Sequence, residues 1–359
     1  MFTRRQFIKQ TSAASLAFAL PNIIIPKRQE SLGVALVGLG YYSTDLLAPA
    51  LQLTQHCHLA GIVTGSPNKI PIWQKTYKIK DKNVYNYDNM HTIANNPDID
   101  VVYIVLPTGL HAKYAIVGAQ AGKHVWCEKP MAKTSKECLD IITACRRNQV
   151  KLSIGYRMQH EPNTQQIIEY GKSKPYGKIK TLKAEAGYRG GTADHWKLKK
   201  ELGGGALYDM GVYTVNAARY STQEEPTTVL SAKHSTTRPE AFNEVDETTV
   251  YSLQFPSGAI ANCRTSFGES LNTLRVNCQK GWYELNPFQA YSGIKGKTSD
   301  GKLLNANIPN QQAKQMDDDA LAIKNDTPVL VPGKEGLKDI RIVEAIYQAA
   351  ASGEQIALD

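Results

Sequence analysis

The stretch from Gly33 to Ile154 alternates short apolar runs with longer amphipathic ones, and this alternation restricts the fold more tightly than any other feature of the chain. Residues 33–37, 59–64, 101–106, 124–127 and 151–154 read as strands. Residues 47–53, 68–77, 110–121 and 135–148 read as helices, as does a segment from Asp88, its expected N-cap, through Ala94. The run Val101-Val102-Tyr103-Ile104-Val105-Leu106 has no polar alternation, the pattern of a strand covered on both faces. Repeated β-α-β units of this length predict a doubly wound parallel sheet.

Past Gly155 the rhythm changes. Residues 162–170 and 206–220 read as helices, and 178–188, 227–237, 248–255 and 259–266 as long alternating strands, with Pro256-Ser257-Gly258 as a turn. A large, mostly antiparallel sheet is expected here, followed by helices at 311–323 and 336–351. The apolar fraction of 42% is ordinary for a globular chain. No run of about 20 apolar residues is present to cross a membrane as a helix.

The N-terminus has its own signature. Thr3-Arg4-Arg5-Gln6-Phe7-Ile8-Lys9 is a twin-arginine pattern, and a modest apolar stretch follows at 13–20. Together they read as a signal for bacterial export of an already folded protein, and so for a periplasmic location. The bland alternative is a plain basic arm. No small-x-small cleavage site precedes Pro21, and no cysteine follows until Cys57, which argues against a lipid anchor. The formal net charge is +9, and Arg4, Arg5, Lys9, Lys27 and Arg28 against Glu30 put part of it in this arm. No Lys/Arg block is interleaved with aromatics, so nucleic acid is not an expected partner. The six cysteines, Cys57, Cys127, Cys138, Cys145, Cys263 and Cys278, form no CxxC spacing, and no metal site is expected. Cys263 and Cys278 flank Gly268-Glu269-Ser270, a placement expected across a hairpin. Free thiols are favoured there, with a cross-strand disulfide as the alternative in an oxidising compartment.

Several segments carry chemistry. Gly38-Leu39-Gly40-Tyr41-Tyr42-Ser43 follows the first strand and opens a helix, where glycines let the backbone approach a pyrophosphate. This predicts a dinucleotide site on a Rossmann sheet, with Ser43 standing at the third glycine position. A ribose 2′-hydroxyl site needs an acidic residue about 20 residues further on. No acidic residue occurs between Asp45 and Asp81, and the second strand ends in Thr64-Gly65-Ser66-Pro67-Asn68-Lys69. Hydroxyls and a lysine suit a 2′-phosphate, so NADP is favoured, with NAD the alternative. Leu106-Pro107-Thr108-Gly109-Leu110-His111 ends the buried strand, where ligands collect in such sheets. His111 suits either a cofactor contact or a structural cap. Cys127-Glu128-Lys129-Pro130 places a charged pair at the end of an apolar strand, unusual for a mere surface, and a cis Lys129–Pro130 bond would turn the lysine into the cleft.

Beyond Gly203-Gly204-Gly205, helical spacing puts Asp209, Tyr213 and Asn216 on one face. A carboxylate can anchor sugar hydroxyls there and a phenol can move a proton. A free phenol has a pKa of about 10, which a nearby ammonium such as Lys129 would lower. The alternative is a structural tyrosine beside a capping aspartate.

Taken together, these segments resemble the glucose–fructose oxidoreductase branch of the Gfo/Idh/MocA family. The Glu128-Lys129-Pro130 motif and the Gly203 to Tyr220 run carry the resemblance, supported by Ile154-Gly155-Tyr156-Arg157 and by His195-Trp196-Lys197-Leu198. It implies three parts: an arm at 1–30, an α/β Rossmann domain with a doubly wound parallel sheet at 31–154, and an α+β substrate-binding and oligomerisation domain with a large, mostly antiparallel sheet at 155–359. It implies a nicotinamide cofactor held by Gly38, Leu39, Gly40, Tyr41, Tyr42, Ser43, Thr64, Ser66, Lys69, Leu106, Pro107, Thr108, His111, Glu128 and Lys129. It also implies Arg157, Trp196 and Lys197 near the cofactor, Tyr156 lining the substrate site, and Lys129, Asp209 and Tyr213 acting at the sugar. An apolar face of the second sheet is implied to pair subunits into a homodimer or homotetramer. Two positions depart from the family pattern. Thr108 stands where Asn is common, and Lys197 and Lys199 stand where close relatives carry Arg, whose planar fork lysine does not reproduce.

The function expected is an exported NADP-dependent sugar or polyol oxidoreductase with a tightly held cofactor. Two alternatives come from other classes: a glycoside hydrolase of the same family that oxidises its sugar transiently, and a sugar-binding protein without turnover. Released sugar marks the first, and absence of any spectral change marks the second.

Overall fold

The computed structural model describes residues 31–191 and 195–358. The twin-arginine pattern and the apolar stretch behind it lie outside the described residues. Residues 31–358 belong to one compact unit.

The first sheet is parallel, with strands β1 (Leu32–Val37), β2 (Cys57–Val63), β3 (Val84–Tyr85), β4 (Val101–Ile104), β5 (His124–Cys127) and β6 (Leu152–Ile154). Their order, β3-β2-β1-β4-β5-β6, reverses direction between β1 and β4. That switch point opens a crevice beyond the strands' carboxyl ends, where such sheets bind ligands. Helices α1 (Tyr42–Leu47, continued by Ala48–Ala50), α2 (Ile70–Tyr77), α3 (His111–Gln120) and α4 (Ser135–Arg147) connect these strands. Thr134 caps α4 in a reciprocal capping box with Glu137. The segment expected to be a helix capped by Asp88 is instead a tight 3₁₀ turn, Met90–Asn95. The Asn86 side chain accepts from the amides of Asp88 and Asn89 and holds its entry.

The second sheet has nine strands in the order β14-β13-β12-β11-β7-β10-β9-β8-β15. Its centre is β7 (Ile179–Gly187), β8 (Thr228–Ser235), β9 (Thr248–Gln254), β10 (Ile260–Ser266) and β11 (Leu271–Cys278). The rim is β12 (Gly281–Leu285), β13 (Gly296–Thr298), β14 (Leu303–Leu304) and β15 (Ile356–Ala357). All its pairings are antiparallel except β7 with β10. Because β7 lies between β10 and β11, Cys263 and Cys278 are not cross-strand neighbours, and the expected hairpin between them does not form. All six cysteines are free.

Helices α5 (Pro162–Ser173), α6 (Leu207–Gly211, continued by Val212–Thr222), α7 (Gln311–Lys324) and α8 (Gly333–Ser352) complete the chain. Leu182, Ala184, Ala261, Leu253 and Val276 point inward from the sheet and are buried, with α6 and α8 packed against the sheet. The other face, expected to be apolar, is not. Lys183, Glu185, Asn262, Arg264, Arg275 and Glu284 are neighbours across it, with Val250 and Trp282 among them. The period-2 alternation that buries one face leaves these polar residues on the other. Helix α7 returns to the first sheet: Ala313, Met316, Ala320 and Ile323 share a core with Leu36, Tyr103 and Trp126. The chain after Gly155 therefore also covers the first sheet. Among the described residues no helix is long and apolar enough to cross a membrane.

Candidate active site

Gly38 ends β1 with φ at +98°. A Cβ there would stand 2.4 Å from the Val105 carbonyl oxygen, so only glycine passes this turn. Ser43, at the third glycine position, is buried, and its hydroxyl donates back to the Gly38 carbonyl at 2.6 Å. At Gly40 a Cβ would meet nothing within 4 Å, and Tyr41 beside it is 65% exposed. Lys69 Nζ donates to the Leu39 carbonyl at 2.6 Å, and Thr64 Oγ1 accepts from the Ser66 amide at 3.0 Å. The ends of β1 and β2 thus meet around an open cradle carrying one cation. Such a cradle fits an anionic dinucleotide.

The turn after β4 closes the other side of the crevice. Leu106 packs towards Gly38, Pro107 precedes the short turn Thr108–Leu110, and Thr108 is buried under the triglycine turn. A Cβ at Gly203, whose φ is +73°, would stand 2.8 Å from the Thr108 Cβ. His111 is buried, with Nδ1 2.9 Å from the Pro130 carbonyl and Nε2 2.8 Å from that of Leu106. Both ring nitrogens face backbone carbonyls, to one of which the neutral imidazole donates at a time, so His111 clamps this turn rather than facing a ligand. Burial lowers its pKa.

Glu128 ends β5 with a buried carboxyl. Oε1 accepts from the Tyr103 hydroxyl at 2.6 Å and Oε2 from the Lys129 amide at 3.2 Å. Gln315 from α7 donates to the same Tyr103 oxygen at 3.2 Å. Burial pushes the Glu128 pKa up to about 7. Gly155 leaves the room this carboxyl needs, since a Cβ there would lie 2.5 Å from Oε1.

The Lys129–Pro130 peptide is cis. Lys129 Nζ donates to the Asp209 carbonyl at 2.8 Å and to Asp209 Oδ1 at 3.3 Å, and lies 4.5 Å from the Tyr213 ring centroid. Burial pulls its pKa down, but the neighbouring Tyr213 and Asp209 outweigh that and hold it above the usual lysine value. The start of α6, Leu207–Gly211, is a wide i→i+5 turn, a feature common at functional sites. It brings Asp209 and Tyr213 over Lys129. Asn216, expected on the same face, turns instead to Asp339 and Gln159. Asp209 Oδ2 accepts from Lys197 Nζ at 2.7 Å and from the Tyr188 hydroxyl at 3.1 Å. Burial would raise the Asp209 pKa, but the two ammoniums prevail and hold it well below the carboxylate range.

Three residues expected near the cofactor or substrate have side chains engaged within the protein. Lys197 is committed to Asp209 and to Tyr188, 2.8 Å from its hydroxyl. Arg157 is buried, donating to the carbonyls of Gln289 and Ala290 and to Gln311. Its guanidinium stacks 4.6 Å from Tyr291 and 5.8 Å from Tyr213, so it braces the phenols from behind. Tyr156 is buried beside Asp339 rather than lining an open cleft. Trp196, half-buried, packs beside His195 at 5.9 Å. Tyr42, from the glycine-rich turn, meets Tyr291 at 6.0 Å. Sequence reading missed Tyr188, Tyr291, Tyr103 and Gln315. Only the position of Tyr188 just past the end of a long strand pointed to it; the others have no local signal.

Residues 32–156 match the Gfo/Idh/MocA oxidoreductase family, with its NAD-binding Rossmann fold, and residues 164–284 match that family's C-terminal domain. The structure of an aldose-aldose oxidoreductase from Caulobacter crescentus, complexed with glycerol, is 37% identical with a TM-score of 0.88. It covers 91% of this chain and 100% of that one. The chain belongs to the Gfo/Idh/MocA family. Two further family relatives are D-xylose 1-dehydrogenases acting with NADP(+). That of Haloarcula marismortui is 26% identical over 343 residues, 90% of this chain and 92% of the relative. That of Haloferax volcanii is 27% identical over 281 residues, 76% and 85% respectively. Among the described residues no cluster of His, Cys, Asp and Glu is arranged to hold a metal ion. The polar centre of this Gfo/Idh/MocA site is therefore built from lysines, a carboxylate and phenols.

Proposed function

We propose that this protein is an NADP-dependent sugar oxidoreductase, similar in activity to glucose–fructose oxidoreductase. The observation that carries this reading is the Lys129–Asp209–Tyr213 cluster just beyond the carboxyl end of β5. The 37% identical aldose-aldose oxidoreductase and the NADP-dependent xylose dehydrogenases support sugar as substrate and NADP as cofactor.

A bound nicotinamide supplies hydride acceptance and donation. Gly38, Gly40, Ser43, Thr64, Ser66, Lys69, Thr108 and Glu128 are the residues that would hold the dinucleotide. The protein's part is to orient the sugar and move one proton. Asp209, held ionised by Lys129 and Lys197, fixes the cluster. The Tyr213 oxygen, which makes no hydrogen bond among the described residues, would take the proton of the reacting sugar hydroxyl as a phenolate, having first lost its own proton to solvent, and would return that proton in the reverse direction. Lys129 keeps positive charge against the phenol as that proton moves.

The same reading includes export by the twin-arginine route, a tightly held cofactor and a homodimer or homotetramer. A cofactor loaded before export would be recycled by a second sugar, because soluble nicotinamide is a cytoplasmic resource. Any subunit contact on the open sheet face would be polar. The test is to purify the protein, release and identify its nucleotide by mass spectrometry, and follow the bound nucleotide's absorbance as aldoses are added. Bound NADP that is reduced by one aldose and reoxidised by another is expected. NAD alone, or no spectral change with any sugar, overturns the reading. Light scattering is expected to give a dimer or tetramer, and a monomer at micromolar concentration contradicts the assembly.

A further inference from the structure

One carboxylate serves two lysine–tyrosine pairs. Lys129 binds Asp209 Oδ1 and lies 4.5 Å from the Tyr213 ring. Lys197 binds Asp209 Oδ2 and lies 5.2 Å from the Tyr188 ring. The first pair is the one the proposed reaction uses. In the second, Lys197 helps to hold Asp209 ionised, and Tyr188 has no role in the proposed reaction.

The second pair has spare hydrogen-bonding capacity. A phenol has one hydrogen and two acceptor lone pairs. Tyr188 donates its hydrogen to Asp209 Oδ2 at 3.1 Å and accepts from Lys197 at 2.8 Å, which leaves one lone pair. An ammonium has three hydrogens, and Lys197 spends one on Asp209 and one on Tyr188. Among the described residues, one acceptor and one donor therefore remain on neighbouring atoms. A sugar hydroxyl, which both donates and accepts, matches that combination. The pair also reaches solvent: the Lys197 side chain is 25% exposed, against 13% for Asp209. The Tyr188 ring is held independently, edge-on to Phe267 at 5.2 Å, so the phenol's position does not depend on its hydroxyl. Two lysines already pair the Asp209 carboxylate, and a third donor is more than its charge requires.

We propose that Tyr188 is a substrate-binding residue that takes the sugar hydroxyl adjacent to the one oxidised at Tyr213, and that Lys197 positions it. The substrate class is then a sugar or polyol with vicinal hydroxyls, bridged across Asp209 by the two phenols. This rests on the oxidoreductase reading of the same site.

The experiment compares wild type with Tyr188→Phe on D-glucose and its monodeoxy analogues, using the NADP-loaded protein. Initial rates and direct sugar binding by calorimetry are measured together. Wild type is expected to discriminate against the analogue lacking the adjacent hydroxyl. Tyr188→Phe should raise KM for glucose about tenfold, the scale of one lost hydrogen bond, with kcat little changed and that discrimination abolished. Lys197→Met should weaken the same discrimination and Lys197→Arg should restore part of it, which a purely structural role would not produce. Equal losses on every analogue, or an unchanged Tyr188→Phe enzyme, overturn the proposal. Wild type that binds glucose without turnover, and loses that binding in Tyr188→Phe, sinks the oxidoreductase reading and keeps the Tyr188 site. Wild type that neither binds nor turns over any sugar sinks both.

Discussion

Lys129 Nζ stands 4.5 Å from the centroid of the Tyr213 ring, yet its hydrogen bonds go to Asp209, to the main-chain carbonyl and to Oδ1. The ammonium meets the phenol through its ring face and is tethered by the carboxylate one helical turn earlier. Asp209 thus sets where the positive charge sits, and Tyr213 keeps its hydroxyl for the substrate.

Tyr213→Phe removes that hydroxyl and keeps the ring under Lys129. Turnover per mole of bound nucleotide is expected to fall about 10²–10⁴-fold, the usual loss of a general acid–base group. Cofactor content and thermal stability should be nearly unchanged. Retention of most activity would remove Tyr213 from the proton step. Lys129→Met should also cut turnover and shift the alkaline limb of the pH profile.

Asp209→Asn leaves two ammoniums facing each other without the charge that both grip. Breaking a buried ion pair on one side costs about 3–5 kcal/mol. A clear fall in thermal midpoint is expected at pH 7, together with loss of activity. The Asp209 carboxyl is held below its ordinary value in the folded state. Its contribution is therefore present above the unfolded pKa of about 3.9 and is lost as pH falls towards the folded one. The gap between wild type and Asp209→Asn should narrow below about pH 4, and a gap independent of pH would contradict the pairing.

Glu128 gives the opposite sign. Its carboxyl rises from 4.5 to about 7 on folding because it is buried. The folded protein then holds this proton more tightly than the unfolded chain. Stability is highest below about pH 4.5 and falls as pH rises to about 7, by about 3 kcal/mol at most. Glu128→Gln keeps an acceptor for Tyr103 and lacks the proton, so chemical denaturation across pH 4–8 should show a flatter slope than wild type. Parallel slopes would mean that Glu128 titrates normally.

Lys69 donates to the Leu39 carbonyl at the glycine-rich turn and is the cation at the end of β2. Lys69→Ala is expected to raise the Kd for NADP about tenfold, the scale of one charge-assisted hydrogen bond, and to leave the Kd for NAD nearly unchanged. Equal effects on the two cofactors would place Lys69 on the shared pyrophosphate and leave the 2′-phosphate to other groups.

Much of the nucleotide half was legible because its determinants are local. The apolar run at 101–106 with no polar partner face could only be a covered strand, and Gly38 sits where its φ of +98° excludes other residues. The spacing of Asp209 and Tyr213 was equally readable, since four residues on a helix return to one side. Asn216 was misplaced because its side chain is held by Asp339 and Gln159, distant in the chain, and no local spacing announces those partners. The expected Cys263–Cys278 hairpin failed for a related reason: strand order is set by which faces pack, and β7, some eighty residues upstream, takes the place between β10 and β11.

Sequence by itself determined the parallel sheet, the glycine turn and the residue types of the site, because backbone sterics and hydrophobic periodicity act between near neighbours. Only the tertiary structure decided the partners. It turned Lys197 onto Asp209 and Tyr188, buried Arg157 behind Tyr213, closed His111 onto two carbonyls, and brought Gln315 onto the Tyr103 hydroxyl from far along the chain. A lysine or a phenol carries no record of which distant group will satisfy it. That choice is made when the two sheets and α7 enclose a region with little water, where each buried donor and acceptor must find a partner among those the fold delivers.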